Sequence, residues 1–547
     1  MPTLTIDGKQ VTVPDGATVL QACEQAGSPV PFYCYHPGLS IAGNCRICLV
    51  EIEKTPKLQI ACYTRVAEGM VVNTTSDKVL KGRQDVLEFL LINHPLDCPV
   101  CDQAGECWLQ DYYMAYGLYD PKFDEAKHKK EQKATPIGPK VMLDQERCIL
   151  CSRCVRFTDE ITKTGEFGIF NRGDHCEIGI HPGRELNNNY SGCTVDICPV
   201  GALTDRDFRF KCRVWYLEST PSVCPGCSMG CNIEIHTNRE REARKHVADG
   251  ARVMRLKPRY NADVNQWWMC DEGRYAYHAI DDKRLVGCMV RGPEGAREAT
   301  WSESLTRLAQ AIGHLRASNK LDRIGVVLST HLTNEELYAA KRIFGQLGIR
   351  NVVVQPAKQG GSDNLLLKSD KSPNTRGAQA LGLSFDAAAL WQKAARKELS
   401  VLYVFGHDLV DVLGEVPAKA LPQQVELLVF QGTNLNHSVE LAHLVLPSAS
   451  YAEKDGTFTN VQGRVQRIRA AVAPIGESRS DAAILVELSN ALGNAATWTE
   501  AEAIFRELAE REPAFRGLSY ASVSDQGAML ADGAHSTKAP AAATVTV

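Results

Sequence analysis

The stretch CILCSRCVRF, residues 148–157, spaces three cysteines as C-x2-C-x2-C. A fourth cysteine opens the later segment CPVGAL, residues 198–203. Iron–sulfur clusters need soft thiolate ligands, usually four, on loops that can wrap around the inorganic core. We therefore expect residues 141–215 to form a small domain built around a 4Fe–4S cluster. Its predicted ligands, the third of four such sets along the chain, are Cys148, Cys151, Cys154 and Cys198.

The third set has the layout of a duplicated ferredoxin that has lost one cluster. In two-cluster bacterial ferredoxins the run continues as x3-C-P, and that last cysteine serves the other cluster. Here the position is Thr158, and the residues that would complete a second cluster are Asn188, Ser191 and Thr194. Cys198 is therefore left to complete the surviving cluster. Cys193 is one residue out of register and is interpreted as a spare thiol.

Composition excludes several other classes of protein. All 20 cysteines lie between Cys23 and Cys288, but a secreted disulfide scaffold would be short and carry a signal. The start, MPTLTIDGKQVTV, has no basic and apolar signal regions, so we expect metal-binding thiols in a reducing compartment. A net charge of −4 is too small to indicate a nucleic acid or acidic membrane partner. No run of apolar residues is long enough to predict a membrane span.

A first set lies in residues 1–78, spaced C-x10-C-x2-C-x13-C. TLTIDGKQVTV predicts a hairpin around Asp7-Gly8, and ATVLQACEQAG predicts a helix. The arrangement is similar to plant-type ferredoxins, whose run is C-x4-C-x2-C with a distant fourth cysteine. The first gap is longer here, so we expect a loop-expanded 2Fe–2S domain; the alternative is a group of buried thiols. The predicted ligands are Cys34, Cys45, Cys48 and Cys62.

A second set lies in HPLDCPVCDQAGEC, residues 94–107, after a predicted amphipathic helix at 79–95 that Pro95 would end. Spacing alone leaves a 4Fe–4S cluster and a mixed N/S zinc site equally open. The alternative for His94 is an ordinary residue at the C-terminus of the helix, where its side chain interacts favourably with the helix dipole. The candidate ligands are His94, Cys98, Cys101 and Cys107.

A fourth set follows as C-x2-C-x3-C, with one more cysteine after 38 intervening residues. Four thiolates suit a 4Fe–4S cluster, and structural zinc remains an alternative. The candidate ligands are Cys224, Cys227, Cys231 and Cys270. Five cysteines have no assigned role: Cys23, Cys176, Cys193, Cys212 and Cys288.

Beyond residue 298 the pattern is α/β. DRIGVVLST, NEELYAAKRIFGQLG and NVVVQP predict a strand–helix–strand unit, and SVLYVFG and VELLVFQG predict buried strands of a mostly parallel sheet. The fold class is thus α+β and α/β multidomain, with residues 120–140 as an exposed connector. The predicted domains are 1–78 (2Fe–2S ferredoxin-like), 79–120 (His/Cys3 4Fe–4S segment), 141–215 (4Fe–4S ferredoxin-like), 216–290 (CxxCxxxC 4Fe–4S), 298–530 (α/β scaffold) and 531–547 (disordered tail).

The order of the sets resembles the large iron–sulfur subunit of respiratory complex I, the NADH–quinone oxidoreductase family. The resemblance is carried by CYHPGLSIAGNCRICLVE, NHPLDCPVCDQAGEC, CILCSRCVRF and VDICPVGALT. It implies that His94 is a cluster ligand and that the fourth set holds an additional, off-pathway 4Fe–4S cluster. The cofactors expected are one 2Fe–2S cluster and two or three 4Fe–4S clusters.

The second half resembles the molybdopterin oxidoreductase fold. CPGCSMGC introduces it, and WSESL, SPNTRGAQALGL and LPSASYAEKDGTFTNVQGRVQR are similar to segments of that superfamily. In complex I this domain is a scaffold, so the resemblance implies no molybdenum. The chain is short for the family, and we expect a truncated domain.

The resemblance implies a relay of electrons from an NADH/FMN subunit towards quinone, with no substrate chemistry on this chain. No GxGxxG fingerprint is present, so neither NADH nor flavin is placed here. The implied partners are the flavin subunit and other peripheral-arm iron–sulfur subunits, at the cytoplasmic side of the inner (plasma) membrane without direct insertion. Alternatives are the catalytic subunit of a molybdenum or tungsten formate dehydrogenase, a subunit of an NAD-linked hydrogenase, and a zinc scaffold.

Overall fold

The computed structural model describes residues 1–120, 122–130, 133–238 and 251–531. They fall into two units, the first comprising residues 1–217 and the second the described residues from 218 onward. Within these ranges, none of the helices combines the length and the apolarity needed to cross a bilayer. The predicted disordered tail lies, from residue 532, outside the described residues.

The N-terminal domain is a five-stranded sheet of order β2-β1-β5-β3-β4 with one packed helix. The predicted hairpin is present, and Asp7 (φ 47°) and Gly8 (φ 81°) take the left-handed conformations that a tight two-residue turn requires. The predicted helix begins at a capping box between Thr18 and Gln21. The elements are β1 Thr3–Ile6, β2 Lys9–Thr12, α1 Val19–Gln25, β3 Leu49–Ile52, β4 Gln59–Ile60 and β5 Val71–Asn73.

The rest of the first unit consists of short elements joined by long loops. Two small sheets, β10-β7-β6 and β8-β9, hold it together. The predicted helix before Pro95 starts after its N-cap Ser76 and ends at Leu91, so it stops short of the proline. The elements are α2 Asp77–Leu91, α3 Trp108–Tyr116, β6 Thr135–Pro136, β7 Val141–Leu143, α4 Arg153–Arg156, β8 Phe167–Phe170, β9 Glu177–Ile180, α5 Cys193–Asp196 and β10 Leu203–Asp205.

The predicted connector at 120–140 is mostly exposed, but it is anchored at two lysines. Lys127 Nζ donates to the carbonyls of Leu91 (2.7 Å) and Ile92 (3.0 Å), and so caps the C-terminus of α2. Lys133 pairs with Asp97 at 2.7 Å. The connector therefore lies over the second set instead of extending freely into solvent.

The second unit starts with a three-stranded sheet, β11-β12-β13, that carries the fourth set at its loops. A strand pair, β14 and β15, then leads into the α/β domain. The elements are β11 Leu217–Val223, β12 Asn232–Asn238, β13 Val253–Pro258, α6 Asp271–Tyr275, β14 Cys288–Gly292 and β15 Gly295–Ala299.

The α/β domain is built on a seven-stranded sheet of order β15-β14-β20-β19-β18-β16-β17. Its last five strands in that order are parallel, as predicted, and β16, β18 and β19 are buried along their whole length. The elements are α7 Trp301–Ala317, β16 Ile324–Ser329, α8 Asn334–Leu347, β17 Asn351–Gln355, α9 Thr375–Ala380, α10 Ala387–Ala395, β18 Val401–Phe405, α11 Leu409–Leu413, α12 Glu415–Ala420, β19 Leu427–Gly432, α13 His437–Leu441, β20 Leu444–Pro447, β21 Gly456–Thr459, β22 Arg464–Ile468, α14 Asp481–Ala491, α15 Ala501–Arg511, α16 Tyr520–Val523 and β23 Ala528–Met529.

A buried ion cluster joins α8, α14 and the segment before β21. Lys454 Nζ lies 2.8 Å from Glu336 and 2.9 Å from Asp481, and all three side chains are buried. Asp481 also accepts hydrogen bonds from Gln431 and Ser448, each at 2.7 Å. The carboxylates outweigh the effect of burial and keep the pKa of Lys454 above its ordinary value. Lys454 thus places one cation between two carboxylates that are buried in the core.

Candidate metal centres

The first set lies on the long loop between α1 and β3 and just after β4. Cys34 interacts through its sulfur with Cys45 and Cys62, and Cys48 interacts with Cys62. The Cys34 amide donates to Cys45 Sγ at 3.4 Å. Gly43 (φ 62°) and Arg46 (φ 61°) are left-handed, which curls the loop around the thiols. Hydrogen bonds from neighbouring cysteines lower the pKa of Cys34, and the same contacts raise the pKa of Cys45 and Cys62.

The four side chains of the second set line one cavity of about 560 Å³. His94 follows α2, Cys98 and Cys101 flank a short 3-10 turn, and Cys107 precedes α3. Burial, helped by the charges of Lys127 and Arg147, lowers the pKa of His94 to about 4. The imidazole is therefore neutral at pH 7, which is the form that ligates metals.

Two arginines fasten the loop of the second set. Arg213 donates to the carbonyls of Cys101 (2.6 Å) and Pro99. Arg147 is buried and pairs with Asp97 at 2.9 Å and Asp144 at 3.2 Å. A side chain at Gly201 would overlap Cys101 Sγ, so this glycine keeps the space beside the thiol open.

The third set surrounds a small void whose other walls are mostly apolar, including Leu143 and Ile178, and which Ser152 and Arg153 also line. Leu150 (φ 54°) and Ser152 (φ 60°) are left-handed, and the Leu150 amide donates to Cys148 Sγ at 3.4 Å. Burial raises the pKa of Cys148 to about 11 and that of Cys198 to about 12. Thiolates at this site therefore need a positive centre beside them, which bound iron supplies.

The fourth set also surrounds a void, and all four of its cysteines are buried. The amides of Gly226 and Gly273 donate to Cys224 Sγ (3.5 Å) and Cys270 Sγ (3.4 Å). A Cβ at Gly273 would lie 2.8 Å from Cys224 Sγ, closer than such contacts allow. The void is thus kept open by the absence of a side chain at this position.

The voids suit iron–sulfur clusters. In a 4Fe–4S cluster each protein ligand binds a different iron, so the ligands surround an inorganic core instead of one point. In the described ranges, no three His, Cys, Asp or Glu side chains are placed to hold a single metal ion. The second, third and fourth sets each line a void instead. Amide donors to sulfur, present in the first, third and fourth sets, are a usual means of tuning cluster potentials.

The residues at the positions where a second ferredoxin cluster would bind make polar contacts. Thr158 and Thr194 are buried and donate to the carbonyls of Val155 and Ser191. Asn188 donates to Glu166 at 2.9 Å. Cys193 is buried beside them, outside the third set. These contacts agree with the interpretation of Cys193 as a thiol that does not serve the third set.

Sequence reasoning missed the two arginines of α4, of which Arg153 lies inside the C-x2-C-x2-C run and Arg156 follows it. Arg156 donates to the carbonyls of Cys34 (2.6 Å) and Cys151 (3.3 Å), and so joins the loops of the first and third sets. The signal available was the position of one arginine inside a cluster motif and of another just after it, and that position does not specify partners more than 100 residues away.

Four ligand sets on separate loops, followed by an α/β domain, define a multi-cluster iron–sulfur protein of the oxidoreductase class. Family models match in the same order. They describe a 2Fe-2S iron-sulfur cluster binding domain (1–77), an NADH-ubiquinone oxidoreductase-G iron-sulfur binding region (83–122), a ferredoxin-like domain of NADH-quinone oxidoreductase subunit 3 (138–204), a molybdopterin oxidoreductase Fe4S4 domain (217–282) and molybdopterin oxidoreductase (355–491). These matches confirm the predicted fold class and the cluster types.

The chain belongs to the family of the large, 75–78 kDa iron–sulfur subunit of NADH–quinone oxidoreductase. It is 30% identical to the mitochondrial NADH-ubiquinone oxidoreductase 78 kDa subunit of Candida albicans, over 93% of this chain and 85% of that one. It is also 30% identical to a subunit of the NADH-quinone oxidoreductase of Rickettsia bellii, over 94% and 90%. The solved structure of an NAD+-reducing [NiFe]-hydrogenase in the H2-reduced state is 30% identical over 39% of this chain and 90% of that chain, with a TM-score of 0.35.

Proposed function

We propose that this chain is an electron-transfer subunit of an NADH–quinone oxidoreductase, in which it relays electrons from a flavin subunit towards quinone. The observation that carries the proposal is that the members of each of the four ligand sets come together, the first set through contacts between its sulfurs and the other three around voids. Iron–sulfur clusters supply one-electron redox centres when bound. The contribution of the chain is to hold them, to exclude water and to set their potentials.

The proposed ligands are the sixteen residues of the four sets. Thiolates serve in the first, third and fourth sets, and His94 joins three thiolates in the second. A neutral imidazole in place of a thiolate removes one negative charge from the second site. The proposed domain limits are those expected from the sequence, and the α/β domain serves as a scaffold without molybdenum.

The proposed partners are the NADH/FMN subunit and other iron–sulfur subunits of a peripheral arm. The names of the relatives support this assembly, since they are subunits of NADH–quinone or NADH–ubiquinone oxidoreductases. We place the chain at the cytoplasmic side of the inner (plasma) membrane, held there through the complex.

Affinity purification of the tagged chain from detergent-solubilised membranes tests this function. We expect a flavin-containing subunit and NADH–quinone reductase activity to co-purify with it. Elemental analysis of the same sample distinguishes the formate dehydrogenase alternative. Molybdenum or tungsten in amounts equal to the chain, with formate oxidation and no quinone reductase activity, would overturn the proposal.

Replacing His94 with cysteine tests its role as a ligand. His94→Cys is expected to keep a cluster and to lower its midpoint potential, because a thiolate restores negative charge at the site. EPR redox titration of the purified complex measures the shift. An unchanged midpoint with all signals present would show that His94 is not a ligand.

Replacing Gly273 with alanine tests the fourth site. The added Cβ would press on Cys224 Sγ at 2.8 Å, and a sulfur that also binds iron has no room to move away. We expect the iron content of Gly273→Ala to fall from about 14 to about 10 atoms per chain. Gly226→Ala is the matched control, because its Cβ would lie at an ordinary 3.5 Å from the same sulfur. Equal iron loss in both variants, or in neither, would contradict the assignment.

A further inference from the structure

Arg153 on α4 is one of the most deeply buried charged residues of the first unit, with 2% of its surface exposed. Its Nη1 donates to the Ile197 carbonyl at 2.9 Å, and its Nη2 donates to the Tyr35 carbonyl. The guanidinium also lies over the ring of Trp108, 4.6 Å from the centroid. Three segments of the chain that are far apart in sequence therefore meet at this side chain.

Each of these three contacts is adjacent in sequence to a proposed ligand. Tyr35 follows Cys34 of the first set, Trp108 follows Cys107 of the second, and Ile197 precedes Cys198 of the third. Arg153 itself precedes Cys154 of the third set. The charge of this residue is thus placed where the loops of three ligand sets come together.

The charge of Arg153 is not neutralised by a carboxylate. Within the described part of the chain, its polar contacts are the two carbonyls, and its Nε is buried without a hydrogen-bond partner. Arg147 differs, because Asp97 and Asp144 pair with it. Burial lowers the pKa of Arg153, and the sulfurs of Cys151, Cys198 and Cys34 act in the opposite direction. A buried cation requires negative charge nearby, and thiolates that bind a cluster at these positions would supply it.

We propose that Arg153 is a positioning residue whose fixed charge raises the reduction potentials of the clusters around it, that of the third set most of all. This inference rests on the proposed function. Guanidinium stays protonated at all physiological pH values, so the charge is permanent. A permanent positive charge in a buried, weakly screened site stabilises the reduced cluster, which carries one more electron. The two carbonyl bonds fix the distance over which the charge acts.

The test is an EPR redox titration of the full complex purified anaerobically, with Arg153→Gln against the parent. We expect the third-set cluster to become at least tenfold harder to reduce, a shift of about 59 mV to lower potential for one electron. Arg153→Lys keeps the charge while giving up the two-pronged geometry, and its midpoint is expected close to that of the parent. Arg184→Gln is the matched control, since Arg184 is an exposed arginine of the same unit that also donates to two carbonyls.

The outcomes separate this inference from the proposed function. A parent complex without clusters would refute the function itself. Clusters present in Arg153→Gln with a parental midpoint, or a shift equal to that of Arg184→Gln, would overturn the inference alone. If Arg153→Gln fails to incorporate the cluster, the midpoint of Arg153→Lys tests the inference instead. A tenfold change in the ease of reduction in this variant, which keeps the charge, would contradict a role for the charge.

Discussion

Replacing Cys198 with serine is expected to remove the third cluster, to leave about ten irons per chain, and to abolish electron transfer from NADH to quinone. A serine hydroxyl is a harder and far more weakly acidic ligand than a thiol, so it binds iron–sulfur clusters poorly. Cys198 lines the same void as the three cysteines of the C-x2-C-x2-C run, and the walls around it offer no replacement thiolate. Iron analysis of the isolated full chain and quinone reductase assays of the purified complex measure the effect.

The neighbouring Cys193→Ser is the control for this experiment. Cys193 is a buried cysteine only five positions earlier, on α5, and it does not line the void. We expect it to keep about 14 irons and its activity. If Cys193→Ser lost the cluster and Cys198→Ser kept it, the register that assigns Cys198 to the third set would be wrong.

Replacing Lys454 with methionine is expected to lower the free energy of unfolding of the second unit by about 3–5 kcal/mol. Methionine fills the volume, but it leaves Glu336 and Asp481 buried beside each other without a cation. Hydrogen exchange of the amides of β18, which lie at the centre of the sheet and exchange through large openings, measures the loss.

Lys341→Met provides the comparison for Lys454→Met. Lys341 pairs with Glu512 at 2.6 Å, but its side chain is 38% exposed. Water therefore screens the attraction between the two charges, and the pair stabilises the fold only weakly. The loss of this pair is expected to lower the free energy of unfolding by less than about 1 kcal/mol. Equal effects of the two substitutions would show that the buried cluster does not stabilise this domain.

The features that the sequence predicts best are those determined by residues that lie close together in the chain. The hairpin at Asp7-Gly8 follows from turn chemistry, and the strand–helix–strand unit at 322–356 follows from alternating runs of apolar residues. The ligand sets were visible because C-x2-C spacing is a local requirement of cluster loops. Cys198 is distant from the rest of its set and was assigned from register, and Cys270 was assigned as the cysteine that follows the C-x2-C-x3-C run; both assignments stay predictions.

The features that sequence could not reveal are contacts between distant segments. Arg153 donates to carbonyls 118 and 44 residues away. Because every residue has a backbone carbonyl, the sequence does not indicate which carbonyls will bind a side chain. Lys454 is a further case, because lysine is rarely buried and its two carboxylates are 118 and 27 residues away. The connector was interpreted from its charges as exposed, and its lysines proved to be anchors of the second site.

The central claim is that sixteen side chains of this polypeptide hold four iron–sulfur clusters. Iron and acid-labile sulfide analysis of the full chain, isolated anaerobically from the other iron–sulfur subunits, with EPR before and after dithionite, tests it most directly. We predict about 14 irons per chain from this subunit and signals of both 2Fe–2S and 4Fe–4S type. A colourless chain that holds no iron and stays EPR-silent after reduction would contradict the account.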